Sequence, residues 1–192
     1  MGYCRSLNGE GTRKIEQYVR RGGSYIGFCA GGYFGSAKCE FEVGNKQLEV
    51  VGRRELAFFP GTCRGCAFRG FVYHSEAGAK AVEVSVRKET FGAGIVPQSF
   101  RSYYNGGGVF VDAEKYGTKG VEVLATYSDT LDVEGGDAAV VYCKIGEGGV
   151  MLTGPHPEYV SQRILGSDAN SWPDLQLSIL IQMPTDQTTQ AL

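Results

Sequence analysis

The segment YIGFCAGGYFGSAKCEF, Tyr25–Phe41, joins a short apolar run to a cysteine surrounded by glycines. Gly27, Cys29, Gly31 and Gly32 form the pattern G-x-C-x-G-G. The serine version of this pattern marks a nucleophile on a sharp turn from a strand into a helix. Glycines two residues before and after the nucleophile let neighbouring backbone approach without a Cβ clash. The segment therefore predicts an α/β unit with Cys29 displayed at the carboxyl end of a strand.

Two roles are open for Cys29. As a nucleophile it would lie at the start of a helix, where unpaired N–H groups favour the thiolate. As a structural residue it would be a small apolar side chain, which is how buried cysteine usually behaves. A nucleophilic role requires a general base, together with a third group that orients the base.

The chain contains two histidines, and each is followed two positions later by a glutamate. His74 precedes Glu76, and His156 precedes Glu158. We favour His156, because the prolines on both sides of it keep the backbone extended and point side chains 156 and 158 to one side. The segment also directly follows a predicted strand. The residues thus predict a catalytic set of Cys29, His156 and Glu158.

The residues around Cys29 predict a helix followed by a buried strand. Ile15, Tyr18 and Val19 fall on one face of an amphipathic helix that ends at the glycines 22–23. The run SYIGF at 24–28 is short, apolar and bounded by glycine, as expected for a strand buried on both faces of a parallel sheet.

The rest of the chain is rich in strand patterns, and a glycine turn joins two candidate strands within residues 100–113. Further strands are predicted at 81–86, 121–127, 138–145 and 150–153, the last two as a hairpin. Near the end, Pro173 and the run LQLSILIQM give a helical signal. We expect one domain over residues 1–183 and a polar tail over 184–192.

The charges of the chain nearly cancel. Nineteen Lys and Arg face 21 Asp and Glu, which gives a net charge of −2. This balance supplies no electrostatic basis for binding nucleic acid or an anionic membrane. The sequence also has neither a bilayer-spanning apolar run nor a signal-peptide core, so we expect a cytoplasmic protein.

The six cysteines are expected to be free thiols, since they are too few for a disulfide scaffold and no secretory signal precedes them. Cys63 and Cys66 form one C-x-x-C pair. Zinc would need a second ligand pair nearby, so two ordinary thiols on a glycine-rich loop are favoured. No metal or other cofactor is predicted.

At the residues around Cys29 and His156, the sequence resembles the class I glutamine amidotransferases, which combine a G-x-C-x-G turn with a downstream H-P-E. It is more closely similar to the amino-terminal amidotransferase-like domain of fungal biotin-protein ligases. That resemblance runs from about Arg13 to Glu158 through five blocks: GFCAGGYFGSAKCEF, FFPGTCRG, GFVYHSEAGAKAV, YYNGGGVFVDA and LTGPHPE.

The resemblance implies a flavodoxin-like α/β sandwich that lacks its first strands, with Cys29, His156 and Glu158 as a triad. It also implies that the backbone N–H of Ala30 donates to an oxyanion. A Pro-Gly-Gly loop that supplies a second donor in the family would lie upstream of the first helix, so we expect an internal start or a truncated chain. Nothing resembles the biotin- and ATP-binding domain of the ligases.

Three hypotheses follow. The first is a regulatory or contact-making domain whose partners are a biotin-protein ligase catalytic domain or its substrate carboxylases. The second is a cysteine hydrolase or glutamine amidotransferase that acts on a small amide through an acyl-thioester on Cys29. The third is a redox sensor that uses Cys29 or the pair Cys63 and Cys66. The sequence favours the first, because the family's upstream loop is not found.

Overall fold

The computed structural model describes residues 2–87 and 97–159. The helices are α1 (Gly2–Leu7), α2 (Glu10–Arg20), α3 (Ala30–Gly35) and a 3-10 helix (Ala113–Lys119). The strands are β1 (Ser24–Phe28), β2 (Ser36–Phe41), β3 (Val50–Arg53), β4 (Phe59–Gly65), β5 (Lys80–Val86), β6 (Ser99–Tyr104), β7 (Gly108–Phe110), β8 (Val121–Tyr127), β9 (Ala138–Ile145) and β10 (Gly148–Thr153). The chain is therefore of mixed α/β class, as the sequence predicts.

The strands form two sheets. The larger has six strands in the order β1-β10-β9-β8-β5-β6, and the smaller has four in the order β3-β2-β4-β7. Strand β1 pairs parallel to β10, and β2 pairs parallel to β4. The remaining pairs are antiparallel. This mixed pairing agrees with an α/β class, while the flavodoxin-like assignment stays a prediction.

The larger sheet is buried on both faces at its centre. Every residue of β10 is buried, and adjacent side chains point into different apolar clusters. Val141 and Leu152 pack into one cluster, whereas Val140 and Met151 pack into the other. Continuous apolar sequence, rather than alternation, is what a strand covered on both sides requires. The carboxyl end of β10 is thereby held in the interior.

The prediction that SYIGF is buried on both faces is wrong. Within the described residues β1 is an edge strand of the larger sheet, and its Ile26 is 43% exposed. The helical pattern also places Tyr18 on the buried face together with Val19. In the structure Val19 is fully buried, but Tyr18 is 62% exposed. The predicted helix itself is confirmed as α2. The glycine stop that follows it includes Gly22, whose φ is +104°.

The strand predictions at 81–86, 121–127 and 138–145 are confirmed by β5, β8 and β9. The predicted hairpin is confirmed by the antiparallel pairing of β9 with β10. Strands β6 and β7 both form, but they join different sheets instead of pairing with each other. The helical signal at Pro173 and LQLSILIQM and the tail at 184–192 lie outside the described residues.

No helix within residues 2–87 and 97–159 is both long enough and apolar enough to cross a membrane.

Candidate active site

Cys29 occupies a sharp turn between β1 and α3. Its backbone has φ +45° and ψ −103°, a positive-φ conformation that non-glycine residues seldom adopt. The Cys29 N–H donates to the carbonyl of Thr153 at 2.8 Å, so the last residue of β10 anchors the turn. Strained backbone of this kind is retained where the surrounding structure enforces it, and it is concentrated at functional sites.

The glycines around the turn have unequal roles. A Cβ on Gly27 would lie 2.6 Å from the carbonyl oxygen of Gly31, so residue 27 must be glycine for α3 to start here. A Cβ on Gly32 would lie 3.0 Å from the oxygen of Thr153. In contrast, a Cβ on Gly31 would meet only the Tyr25 hydroxyl, at 3.8 Å. The expectation that Gly31 also relieves a clash is therefore wrong.

Ala30 is the first residue of α3 and is exposed. A backbone N–H in the first turn of a helix has no acceptor within that helix. This N–H is adjacent to Cys29 and remains available to a ligand oxygen.

His156 lies three residues after the end of β10. Its N–H donates to the carbonyl of Tyr103 at 2.7 Å, which ties it to β6. Its Nδ1 lies 2.5 Å from Oε1 of Glu158. The two side chains are only 19% and 31% exposed. The proline-flanked segment therefore directs residues 156 and 158 to the same side.

The Cys29 side chain lies close enough to the His156 ring to change the pKa of that ring. Burial alone would lower the pKa of His156, but its bonds with Cys29 and Glu158 raise that pKa from 6.5 to about 9. The ring therefore holds both protons at neutral pH, with Nδ1 directed at Glu158. The structure thus brings together Cys29, His156 and Glu158.

The other histidine does not join this group. His74 is exposed and lies with Glu76 in a loop that faces His156 across an open depression of about 390 Å³. Glu76 accepts a hydrogen bond from the Tyr103 hydroxyl at 2.7 Å.

Asn105 is a residue of the site that sequence reasoning missed. Its backbone oxygen lies 3.7 Å from Sγ of Cys29 and accepts from the thiol. Its side-chain Nδ2 donates to the carbonyl of Ser75 and to the hydroxyl of Tyr103. Asn105 therefore connects Cys29, the 74–77 loop and the strand that holds His156. Its position in the run Asn-Gly-Gly-Gly, a turn signal, was the available indication.

Close backbone packing holds these loops together. A Cβ on Gly107 would collide with the carbonyl of Gly154, and a Cβ on Gly154 would collide with the carbonyl of Gly108. Only glycine allows the loop after β6 to lie directly against the segment that leads to His156.

A cavity of about 150 Å³ opens beside Cys29. Six aromatic side chains line it: Tyr3, Tyr33, Phe34, Phe41, Phe71 and Tyr73. The lining includes Arg54 and contains no carboxylate. The Cys29 thiol thus faces an apolar space with one cation in its wall.

Cys63 and Cys66 do not belong to the group formed by Cys29, His156 and Glu158. Cys63 is within β4 rather than on a loop, and Cys66 follows that strand directly. Both are buried, and burial raises the pKa of each thiol. Among the residues that the structure describes, no group of three or more His, Cys, Asp or Glu is arranged to hold a metal ion.

Two protein sequences are clearly related to this chain. A biotin-protein ligase of Schizosaccharomyces pombe is 48% identical over 162 residues, which cover 84% of this chain and 24% of the ligase. An uncharacterized protein of Chlamydia muridarum is 39% identical over 161 residues, which cover 83% of this chain and 57% of that protein. The chain therefore spans about a quarter of the length of the S. pombe ligase and somewhat over half of the length of the C. muridarum protein.

Among solved structures, a putative ThuA-like protein from Bacteroides uniformis matches with a TM-score of 0.47 and 16% identity, covering 78% of this chain and 56% of that one. A score at this level assigns no fold family. The family model for the N-terminal region of biotin-protein ligase, in contrast, matches residues 1–189. With the relatives above, this match shows that the chain belongs to the biotin-protein ligase N-terminal family.

Proposed function

We propose that this domain hydrolyses an amide through a covalent intermediate on Cys29. The observation that carries the proposal is the contact of His156 Nδ1 with Glu158, which holds the ring in position beside the Cys29 side chain with which it interacts. A nucleophile, a base and a group that orients the base are the parts that acyl transfer needs. The sequence alone favours a contact-making role, and this arrangement of side chains favours catalysis.

The cycle starts from a Cys29 thiolate paired with the His156 imidazolium, which holds the proton that the thiol has given up. In the first step the thiolate sulfur bonds to the carbonyl carbon, and the electron pair of the C=O π bond moves onto the oxygen. The N–H of Ala30 would donate to that oxyanion. When the intermediate collapses, the C–N bond breaks and the His156 imidazolium gives its proton to the leaving nitrogen. An acyl-thioester remains on Cys29.

In the second step neutral His156 accepts a proton from water, whose oxygen bonds to the acyl carbon. The C–S bond then breaks and its electron pair returns to sulfur. The products are a carboxylic acid and an amine or ammonia, and the thiolate and imidazolium are restored. Glu158 holds Nδ1 throughout, which keeps the other ring nitrogen directed at the sulfur and the water.

Alkylation of the folded protein by chloroacetamide, followed by peptide mass spectrometry, tests the proposal. Cys4 is partly exposed and serves as an internal reference thiol. We expect Cys29 to react at least about 10-fold faster than Cys4, and His156→Asn to slow Cys29 by about 10²-fold, a typical general-base contribution. Equal rates at the two thiols, or no effect of His156→Asn, would contradict activation.

Release of ammonia from glutamine and other primary amides measures turnover directly. We expect release from at least one of these amides, and Cys29→Ser should abolish it. A domain that labels rapidly at Cys29 but releases no ammonia from any of these amides would have an activated thiol and a different acyl substrate.

A second candidate function is contact with the catalytic region of a biotin-protein ligase. Its support is that the region of the S. pombe ligase related to this chain makes up only 24% of that longer protein. Calorimetric titration of this domain into a ligase lacking the corresponding region tests the contact. Binding to a substrate carboxylase and not to the ligase would identify the other partner, and no binding to either would reject this function.

We further propose that the described elements form the core of a flavodoxin-like amidotransferase fold and that residues 1–183 make one domain. Support comes from the order helix, strand, Cys29, helix, and from the parallel pairing of β1 with β10. The cytoplasmic location stays a prediction.

A further inference from the structure

The cavity beside Cys29 is lined by an unusual combination of side chains. Aromatic rings dominate it, and Arg54 is its one charged side chain within the described ranges. The Arg54 guanidinium donates from Nη1 to the carbonyls of Gly52 and Arg53. It forms no ion pair with a carboxylate of residues 2–87 or 97–159.

The cavity has room for one small apolar group. Its volume is about 150 Å³. An apolar protein cavity of about this volume accommodates a benzene molecule. A larger ligand would have to extend through the opening.

We propose that the substrate is an acyl compound with a benzene-sized apolar body and an anionic end, which Arg54 binds while the carbonyl lies against Cys29. The inference rests on the proposed function, because it names the substrate class of the same site. It differs from free glutamine, whose polar side chain and ammonium group would meet aromatic rings and a like charge.

An anion is the ligand group that Arg54 recognises. A guanidinium presents several N–H donors in a planar fork that matches a carboxylate, and such charge-assisted bonds are stronger than neutral ones. The apolar walls reduce the competition from water, which strengthens the attraction between opposite charges. The aromatic rings alone would also accept a cation, but the positive charge of Arg54 opposes that choice.

Two matched chloroacetanilides test the inference. One carries a para-carboxymethyl group, and the other carries the neutral para-carboxamidomethyl group. Both present the same electrophile and the same ring, so their rate ratio at Cys29 reports recognition of charge. We expect the anionic probe to react about 10-fold faster with the wild-type protein, in line with a charge-assisted hydrogen bond.

Three variants locate the origin of that preference. Arg54→Gln should bring the rate ratio close to one, and Arg54→Lys should keep part of the preference. Arg53→Gln is the matched control, because Arg53 is exposed and does not line the cavity. A wild-type ratio near one, or the same ratio in Arg54→Gln as in wild type, would overturn the inference.

A protection experiment needs no variant. Phenylacetate should slow labelling of wild-type Cys29 by chloroacetamide at lower concentrations than phenylacetamide does. Equal protection by the two compounds would count against recognition of charge.

Chloroacetamide has neither ring nor charge, so it separates the two proposals. If its reaction at Cys29 depends on His156 while the anilides show no charge preference, the proposed function stands and the substrate class is wrong. If its reaction is independent of His156, the proposed function itself fails.

Discussion

Nδ1 of His156 lies 2.5 Å from Oε1 of Glu158, two residues along the same chain. This contact fixes which ring nitrogen faces Cys29, because the nitrogen held by Glu158 is unavailable to the thiol. The orientation of the His156 ring is thus set within one short segment, while its distance from Cys29 depends on how two strands pair.

The protonation of His156 is the first testable property. NMR titration of its ring protons should give a midpoint near pH 9, since bonds with Cys29 and Glu158 outweigh the effect of burial on the pKa. Cys29→Ala and Glu158→Gln should each lower the midpoint, because each removes a group that favours the imidazolium. His74, the other histidine, makes no hydrogen bond with Cys29 or Glu158 and is the internal control for both variants. An unchanged His156 midpoint would contradict the assignment.

Stability should depend on pH through the same residue. The folded-state pKa of His156 is raised from 6.5 to about 9, so its contribution is complete below about pH 6.5 and is lost as pH rises through about 9. At 1.36 kcal/mol per pKa unit, this contribution is at most about 3 kcal/mol. Urea unfolding of wild type and His156→Asn should give free energies whose difference shrinks over this range. A difference that is constant with pH would contradict the coupling.

Gly27→Ala and Gly31→Ala form a matched pair of substitutions. A Cβ at 27 would collide with the backbone of residue 31, so we expect a loss of about 1–3 kcal/mol in the free energy of unfolding, as for overpacked sites. A Cβ at 31 meets no such obstacle and favours the helix, so stability should stay the same or rise by up to about 1 kcal/mol. Similar losses for both variants would show that the turn is packed differently.

Tyr103 should position His156 through its ring and not through its hydroxyl. The rings of Tyr103 and His156 lie 5.7 Å apart between centroids, while the hydroxyl donates to Glu76. Tyr103→Phe should therefore leave the rate of Cys29 labelling within about 2-fold, and Tyr103→Ala should lower it by about 10-fold or more, because small displacements of catalytic groups are costly. A large effect of Tyr103→Phe would instead assign the role to the hydroxyl.

The parts of the site that could be predicted from sequence are those encoded within a few residues. The turn at Cys29 requires Gly27 close by, and the contact between His156 and Glu158 spans two positions. Both are local patterns, so spacing alone indicates them.

The parts that could not be predicted depend on contacts between distant segments. Asn105 reaches Cys29 only because β6 and β7 diverge into different sheets, whereas a glycine turn between two strands usually indicates a hairpin. The edge position of β1 depends on which strands pair beside it, and an apolar run of five residues carries no information about that. Tyr18 shows the same limit for a helix, since periodicity does not determine where the buried stripe ends.

The anchoring of Cys29 to Thr153 has a consequence during synthesis. The thiol leaves the ribosome more than a hundred residues before His156, and it meets that histidine only once β10 has docked beside β1. Under the proposed function, a nascent or misfolded chain therefore carries an ordinary cysteine, and rapid labelling of Cys29 would report that the larger sheet has been assembled.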